Sequence, residues 1–153
     1  MMSGPISASH PPVRLPSSKT MSQAGEQTDL MDPTTFVCPS LTEGMTVTIE
    51  FCDRCRWLHR ASWVQTELLL TFPPPIIGCI ALLPRNSDET AGRFRVWVTK
   101  TSTGDSGAAV TPQLAWDRKV EGGFPELKVL KQRIRDIVQP GKSLGHSDKK
   151  VEQ

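Results

Sequence analysis

The spacing of apolar residues changes between residues 45 and 75, and each change predicts a different element. Residues 45–51 alternate between apolar and polar and are rich in β-branched side chains, which predicts a strand. Apolar residues then recur at the spacing of one helical face, which predicts a first helix through Trp57, Ala61, Val64 and Leu68. Residues 71–75 contain three consecutive prolines and end this helix.

Three further strands are predicted downstream. Residues 76–83 are apolar without alternation, as expected for a strand that is covered on both faces. Residues 94–98 alternate and predict a half-buried strand, and residues 114–117 predict a short fourth one. Residues 101–112 are rich in Gly, Ser and Thr, which predicts a long connection between these last two strands.

A second helix is predicted after the glycine pair at residues 122–123. Pro125 suits the first turn of a helix, and Glu126 beside it complements the positive end of the helix dipole. The predicted apolar stripe consists of Leu127, Leu130, Ile134 and Ile137. The element order is then β-α-β-β-β-α, an α/β fold with one mixed sheet and two helices. Its first two strands are expected to be parallel, joined by a right-handed crossover, and its last two to form a hairpin.

Composition divides the chain into three segments. Residues 1–44 contain six prolines and seven serines but a single aromatic residue, so we expect a disordered leader. Residues 45–140 hold most of the apolar periodicity and all four tryptophans, which predicts the folded domain. Residues 141–153 are polar and are predicted to form a C-terminal tail.

Charge and cysteine content exclude several classes of protein. The formal net charge of +2 at pH 7 argues against a polycation built for nucleic acid. The longest apolar run, residues 68–84, is interrupted by prolines, so no membrane segment is expected. Four cysteines are too few for a disulfide-stapled secreted scaffold. We therefore expect a cytoplasmic protein, in which cysteines are reduced, metal-bound or redox-active.

Cys52 and Cys55 form a Cys-x-x-Cys pair where the first strand gives way to the first helix. Two cysteines three residues apart in a helical turn are within reach of a disulfide. Backbone N–H groups and the dipole at a helix N-terminus lower the pKa of a thiol. Because the thiolate is the species that attacks a disulfide, this location favours thiol–disulfide exchange.

Arg54 and Arg56 flank the pair, although cations have the wrong sign for a helix N-terminus. An anion placed there would reverse the sign of that effect, so both arginines are predicted to stabilise a thiolate or a bound anion. The anion could equally belong to the carboxylates of glutathione or to an acidic partner protein. The structural alternative is that the arginines only solvate an exposed surface.

Zinc is the main alternative ligand for the two thiols, because Cys52, Cys55 and His59 have ligand-like spacing. A closed zinc site needs a fourth ligand, and neither Cys38 in the leader nor Cys79 in the second strand has a paired neighbour. We therefore predict a redox pair with no metal and no bound cofactor.

A second segment, Trp-Asp-Arg-Lys at residues 116–119 followed by Gly-Gly-Phe-Pro-Glu at residues 122–126, adds to the Cys-x-x-Cys motif. Together they resemble the Rdx family of selenoprotein W, T and H-like proteins, in the branch with cysteine in place of selenocysteine. The resemblance implies a thioredoxin-like fold, with Cys52 and Cys55 as the redox pair of a glutathione-linked protein.

The identity of the attacking sulfur stays open at this point. Helix-terminus physics favours Cys52, whereas selenocysteine, where the family has it, occupies the position of Cys55. Two functions are compatible with the sequence. One is a thiol–disulfide oxidoreductase in cell redox homeostasis, reduced by glutathione or the thioredoxin system. The other is a redox-sensitive module that binds a protein partner without turnover, or less favourably a zinc-binding module.

Overall fold

Four strands and two helices follow one another in the predicted order β-α-β-β-β-α. The computed structural model describes residues 31–39, 44–104 and 107–148. The strands are β1 (Gly44–Cys52), β2 (Cys79–Arg85), β3 (Phe94–Gly104) and β4 (Gly107–Asp117). The helices are α1 (Leu58–Thr71) and α2 (Leu127–Val138), and a short 3-10 helix, Asp88–Thr90, precedes β3. The predicted α/β fold, with four strands and two helices in this order, is confirmed.

The sheet has the strand order β2-β1-β3-β4, so β1 and β3 are central. β1 pairs with β2 in parallel, with α1 as the crossover, as the sequence predicts. β1 and β3 are antiparallel, and so are β3 and β4, which makes the sheet mixed. Each edge strand contains a proline, Pro84 in β2 and Pro112 in β4, in keeping with the restriction of proline to sheet edges.

The core lies between one face of the sheet and the two helices. Alternate residues of the central strands point into it, among them Val47, Ile49, Phe51, Val96 and Val98. The predicted helical stripes supply the other side, through Ala61, Val64 and Leu68 of α1 and Leu130 and Ile134 of α2. Neither described helix combines the length and the apolar composition that crossing a membrane requires.

The expectation that the second strand is covered on both faces is wrong. β2 is an edge strand in which Ile80 alone is buried, while Ala81 is exposed. Both helices pack on the same side of the sheet, so the second face of β2 has no covering helix in the described chain. Part of the apolar run belongs to the preceding loop, where Ile77 is fully buried in the core.

The expectation of a long loop over residues 101–112 is also wrong. β3 and β4 continue as a ladder from Arg95 opposite Asp117 to Gly104 opposite Gly107. Only residues 105 and 106 separate the strands, and they lie outside the described ranges. Threonine and valine in this segment favour strand pairing, and the neighbouring strand overrides the loop-like composition. A register shift at Val96 and Trp97 adds an irregularity that the sequence did not predict.

Helix α2 begins two residues later than predicted. Pro125 precedes the helix, and Glu126 is the N-cap residue without a hydrogen bond from its side chain. After the helix, residues Gly145–Asp148 form a 3-10 turn in which Asp148 accepts a 2.6 Å contact from the Arg135 guanidinium. Leu144 packs against the core, so the predicted polar tail starts with residues that contact the domain.

Residues 31–38 belong to a separate unit of the chain. In it, Asp32 caps a 3-10 turn at Pro33–Thr35 by accepting the backbone N–H of Thr34 at 2.9 Å. The remainder of the leader, residues 1–30 and 40–43, lies outside the described residues, as do residues 149–153. The predicted disorder and domain limits therefore stay predictions.

Glu50 carries a charge network on the sheet face that the helices leave uncovered. Its carboxylate is buried on the central strand and accepts hydrogen bonds from Trp97 Nε1 at 3.0 Å and Arg85 Nη2 at 2.9 Å. Arg93 lies 3.7 Å away from the same carboxylate. Burial alone would raise the pKa of Glu50, but these hydrogen bonds and the two positive charges lower it overall.

We expect Glu50→Gln to lower the free energy of unfolding at neutral pH by about 1–3 kcal/mol, because two guanidinium groups lose their charged acceptor. The lowered pKa means that this stabilisation is present above the unfolded-state pKa of glutamate. It disappears as pH falls through the folded-state pKa. Denaturant titrations of both proteins across acidic pH measure the difference. The exposed Glu126→Gln is the control and should change stability by less than about 0.5 kcal/mol. A Glu50→Gln effect that grows on acidification would contradict the network.

Candidate active site

The Cys-x-x-Cys motif lies in a turn between β1 and α1. Cys52 is the last residue of β1, and α1 begins at Leu58, three residues beyond Cys55. The Arg56 N–H closes the turn by donating to the Asp53 carbonyl at 2.7 Å. The prediction that the pair occupies the first helical turn is therefore wrong, and the macrodipole argument loses its basis.

Arg56 explains why the helix cannot start earlier. Its φ of 55° places it in the left-handed region, which non-glycine residues rarely adopt and which interrupts a right-handed helix. Such strained positions persist where the surrounding structure holds them, and they cluster at functional sites. Backbone bonds on both sides hold this turn: Cys52 N–H donates to the Arg93 carbonyl at 2.8 Å, and Asp53 N–H to the Arg85 carbonyl at 2.9 Å.

The two sulfurs differ sharply in accessibility. Cys52 is 1% exposed, whereas Cys55 is exposed to solvent. The thiol of Cys55 forms a hydrogen bond to the sulfur of Cys52, so the motif brings the two reactive atoms together, as the sequence predicts. A reagent from solution can thus reach Cys55 directly but not Cys52.

The same contacts separate the pKa values of the two cysteines. Desolvation is the largest single influence on Cys52 and opposes ionisation. The hydrogen bond from the Cys55 thiol, the N–H groups of Gly92 and Cys55, and the charge of Arg54 outweigh it and lower the pKa of Cys52. Donating that hydrogen bond, together with desolvation and the nearby Cys52 charge, raises the pKa of Cys55. Of the two sulfurs, Cys52 is therefore the one that ionises first.

Gly92 is a contributor that the sequence analysis missed. Its backbone N–H lowers the pKa of both sulfurs, and its φ of 69° is a conformation that favours glycine. The 3-10 helix Asp88–Thr90 lies just before Gly92 in the chain. Reciprocal hydrogen bonds between Ser87 and Thr90 fix its conformation. A glycine in a polar loop gives little signal in a sequence, because many loops contain one.

Arg54 and Arg56, the two predicted anion-stabilising residues, lie in different settings. Arg54 forms an exposed ion pair with Asp88, and its charge also favours the Cys52 thiolate. Arg118, which the sequence analysis did not single out, favours the Cys55 thiolate. For Arg56 the described contacts concern its backbone, so its effect on an anion stays a prediction.

Aromatic rings hold Arg118 beside the dithiol. Its guanidinium lies 4.8 Å from the centre of the Trp57 ring and 5.2 Å from that of Phe124. These two rings meet edge to face with their centres 4.8 Å apart, and Phe94 contacts Phe124 in the same manner at 5.3 Å. The buried Arg118 Nε has no hydrogen-bond partner among the described residues.

A groove of about 520 Å³ opens between α1 and the segment that leads into α2. We call it the Phe124 groove; the residues that line it include Arg60, Trp63, Val64, Phe94, Phe124 and Leu127. His59 also lines it and does not join the sulfurs in a ligand cluster, since no group of three metal-binding side chains occurs within the described ranges. Cys79 is half-buried in β2, and Cys38 is exposed in the other unit.

Comparison with known proteins bears directly on this site. The model of the Rdx family matches residues 46–136, which is more than half of the chain and includes the dithiol turn, Gly92 and Arg118. The chain belongs to the Rdx family. The predicted resemblance is therefore confirmed, and the Rdx match also extends through most of α2.

Two solved structures are similar to this chain. A protein from Bordetella parapertussis is 39% identical, with 62% of this chain and 99% of that chain covered and a TM-score of 0.48. A selenoprotein W-related protein from Vibrio cholerae is 36% identical, with 63% and 100% covered and a TM-score of 0.49. Among curated proteins, no significant match was found.

We expect Cys55→Ala to raise the pKa of Cys52, because it removes a hydrogen bond that stabilises the charged sulfur. Cys55→Ser retains a hydroxyl donor and should raise it less. The Cβ carbon shift of labelled Cys52, followed by NMR against pH, reports this ionisation site by site. Cys79→Ala, at the far end of the edge strand β2, is the control and should leave the pKa of Cys52 unchanged. An unchanged pKa in Cys55→Ala would show that the sulfur–sulfur hydrogen bond is unimportant.

Proposed function

We propose that this Rdx protein is a thiol–disulfide oxidoreductase that cycles Cys52 and Cys55 between dithiol and disulfide. The observation that carries the proposal is an accessible thiol hydrogen-bonded to a buried sulfur whose pKa is lowered. Family membership supports a redox-related role for the Cys-x-x-Cys pair. We place this activity in the redox homeostasis of the cytoplasm, where thiols are kept reduced.

In the reducing direction, Cys55 attacks a substrate disulfide. Its proton shifts to Cys52 along their hydrogen bond, and the resulting Cys55 thiolate forms a mixed disulfide while one substrate thiolate leaves. Cys52 then gives up its proton to a departing substrate sulfur and attacks Cys55, which releases the second substrate sulfur. The protein dithiol loses two electrons and becomes a disulfide, and the substrate disulfide gains them as one thiol and one thiolate, which takes its proton from water.

Burial supports Cys55 as the attacking sulfur in this proposal. Cys52 has the lower pKa, but solvent hardly reaches it, so an external disulfide meets Cys55 first. The low pKa instead suits Cys52 to be the leaving group when a reductant attacks Cys55 in the closed disulfide. In this proposal the exposed sulfur of Cys55 exchanges with partner sulfurs, and the buried sulfur of Cys52 forms and breaks the disulfide with Cys55.

Glutathione is the proposed co-substrate that restores the dithiol, with the thioredoxin system as the alternative electron donor. Two glutathione thiols reduce one protein disulfide and become glutathione disulfide. The positive charges of Arg54 and Arg118 beside the pair favour the approach of an anionic thiol. The cycle needs no metal or bound cofactor.

A redox-sensitive binding module is the second candidate, because the Phe124 groove offers an apolar surface, and its Phe124 ring contacts Arg118, whose charge acts on Cys55. In that case Cys52→Ser/Cys55→Ser should still capture the same cellular partners as the native chain in a cross-linking pull-down. If capture depends on the cysteines and the partners come off with reductant, the oxidoreductase is favoured.

For the oxidoreductase, we expect Cys52→Ser to accumulate a stable mixed disulfide between Cys55 and glutathione when it is exposed to glutathione disulfide. The variant lacks the sulfur that resolves this intermediate, whereas the native chain should close its own disulfide. Cys55→Ser should react far more slowly, because Cys52 is buried. Thiol labelling with mass spectrometry across a series of glutathione ratios measures these species and the reduction potential.

Cys79→Ser keeps both motif cysteines and should behave as the native chain. If neither single variant forms an adduct, and the native chain closes no disulfide at any ratio, the exchange function is wrong.

A further inference from the structure

The arginines of the described chain fall into two groups, those that form an ion pair with a carboxylate and those that do not. Six arginines contact carboxylates: Arg54, Arg85, Arg93, Arg95, Arg133 and Arg135. Among the described residues, Arg56, Arg60 and Arg118 have no such partner. Arg56 lies in the dithiol turn, Arg60 lies in the first turn of α1, and Arg118 acts on the Cys55 sulfur. The arginines without a carboxylate partner therefore lie in the dithiol turn, at the start of the following helix, or beside the Cys55 sulfur.

Two of these guanidinium groups share one aromatic ring. Arg60 lies 4.2 Å and Arg118 5.2 Å from the centre of the Phe124 ring. Like charges brought together in this way repel each other, and stacking on an aromatic ring offsets that only in part. A carboxylate that approaches either guanidinium would gain a charged hydrogen-bond donor, and the second positive charge beside the same ring would add to the attraction.

Phe124 connects this positive pair to the groove. The same ring forms a wall of the Phe124 groove, whose remaining apolar lining includes Trp63, Val64 and Leu127. Trp63 is more than half exposed, which is unusual for such a large apolar side chain. No acidic side chain lines the groove within the described ranges. An occupant that matches this surface combines an apolar side chain with a negative charge.

We propose that the Phe124 groove binds a peptide segment of a protein partner in which the reacting cysteine has an acidic and a large apolar residue close by. The apolar side chain lies against Trp63 and Phe124, the carboxylate contacts Arg60 and Arg118, and the partner sulfur meets Cys55. The inference rests on the proposed thiol–disulfide exchange and names its partner class. Glutathione would satisfy the arginines but has no large apolar side chain to cover the groove, whose volume is that of a ligand pocket.

Exchange rates with synthetic peptides test this assignment. Each peptide carries one cysteine activated as a disulfide with 2-nitro-5-thiobenzoate, whose release is followed by absorbance when Cys55 attacks the peptide sulfur. Each of four matched peptides has two test residues beside the cysteine. Three of them keep the large apolar residue and pair it with an acidic, an amide or a basic residue. The fourth keeps the acidic residue and replaces the apolar residue by a small one. The full chain carries Cys38→Ser and Cys79→Ser, so that the motif alone reacts.

The acidic and apolar peptide should react about tenfold faster than its amide counterpart at low salt, and added salt should reduce the difference. Arg118→Gln and Arg60→Gln should each remove most of this preference, and Arg118→Lys should retain part of it. Trp63→Ala should abolish the advantage of the apolar residue and leave the charge preference. Lys100→Gln is the control, because it removes one positive charge from β3 at a distance from the groove. It should react with each peptide at the same rate as the unsubstituted chain.

The outcomes separate this inference from the function on which it rests. Equal rates for all four peptides would overturn the groove assignment while exchange itself stands. Equal losses in Lys100→Gln and the two arginine variants would mean long-range steering and would overturn the binding site. A fast reaction of the acidic and small peptide would identify a small anionic thiol as the partner and overturn the peptide assignment. No reaction with any peptide would instead overturn the proposed oxidoreductase.

Discussion

The end of the central strand β1 determines the chemistry of this protein. Cys52 is the last paired residue, and its N–H donates to the Arg93 carbonyl, so its sulfur stays inside the fold while the chain turns outward to Cys55. Burial there opposes ionisation of the sulfur, but hydrogen bonds from the Cys55 thiol and from backbone N–H groups, with the charge of Arg54, lower the pKa of Cys52 overall. If the strand ended one residue earlier, both sulfurs would lie in solvent and would lose the difference in accessibility on which the proposed thiol–disulfide exchange depends.

Local patterns were sufficient to predict the elements that build the core. The alternation in β1 and the stripes of α1 and α2 identify the buried residues, because periodicity follows directly from which side of an element faces the core. The Cys-x-x-Cys pair was likewise identifiable, since its two residues are close in the chain and therefore close in space. The resemblance of the chain to the Rdx family also depended on residues 116–126. In the structure, Trp116 of this segment is buried in the core, and Phe124 contacts the Trp57 ring near the dithiol.

The missed features depend on contacts between distant segments. Gly92 and Arg118 reach the dithiol only because β3 pairs with both β1 and β4, which no window of neighbouring residues reveals. The start of α1 was misplaced for a related reason. Arg56 adopts a left-handed conformation that its residue type disfavours, and the bonds of Cys52 and Asp53 to Arg93 and Arg85 hold the turn that ends in it. Strand β2 was misjudged because an apolar run does not show whether a strand lies at the centre or at the edge of a sheet.

Both borders of the sheet carry a proline, Pro84 in β2 and Pro112 in β4. Proline has no N–H group, so a foreign strand laid alongside either border could not form an unbroken ladder with it. The two prolines therefore disfavour edge-to-edge pairing of the sheets of two molecules. The ends of the strands and the helical side carry no such restriction, and the exposed Cys55 lies at one of these strand ends.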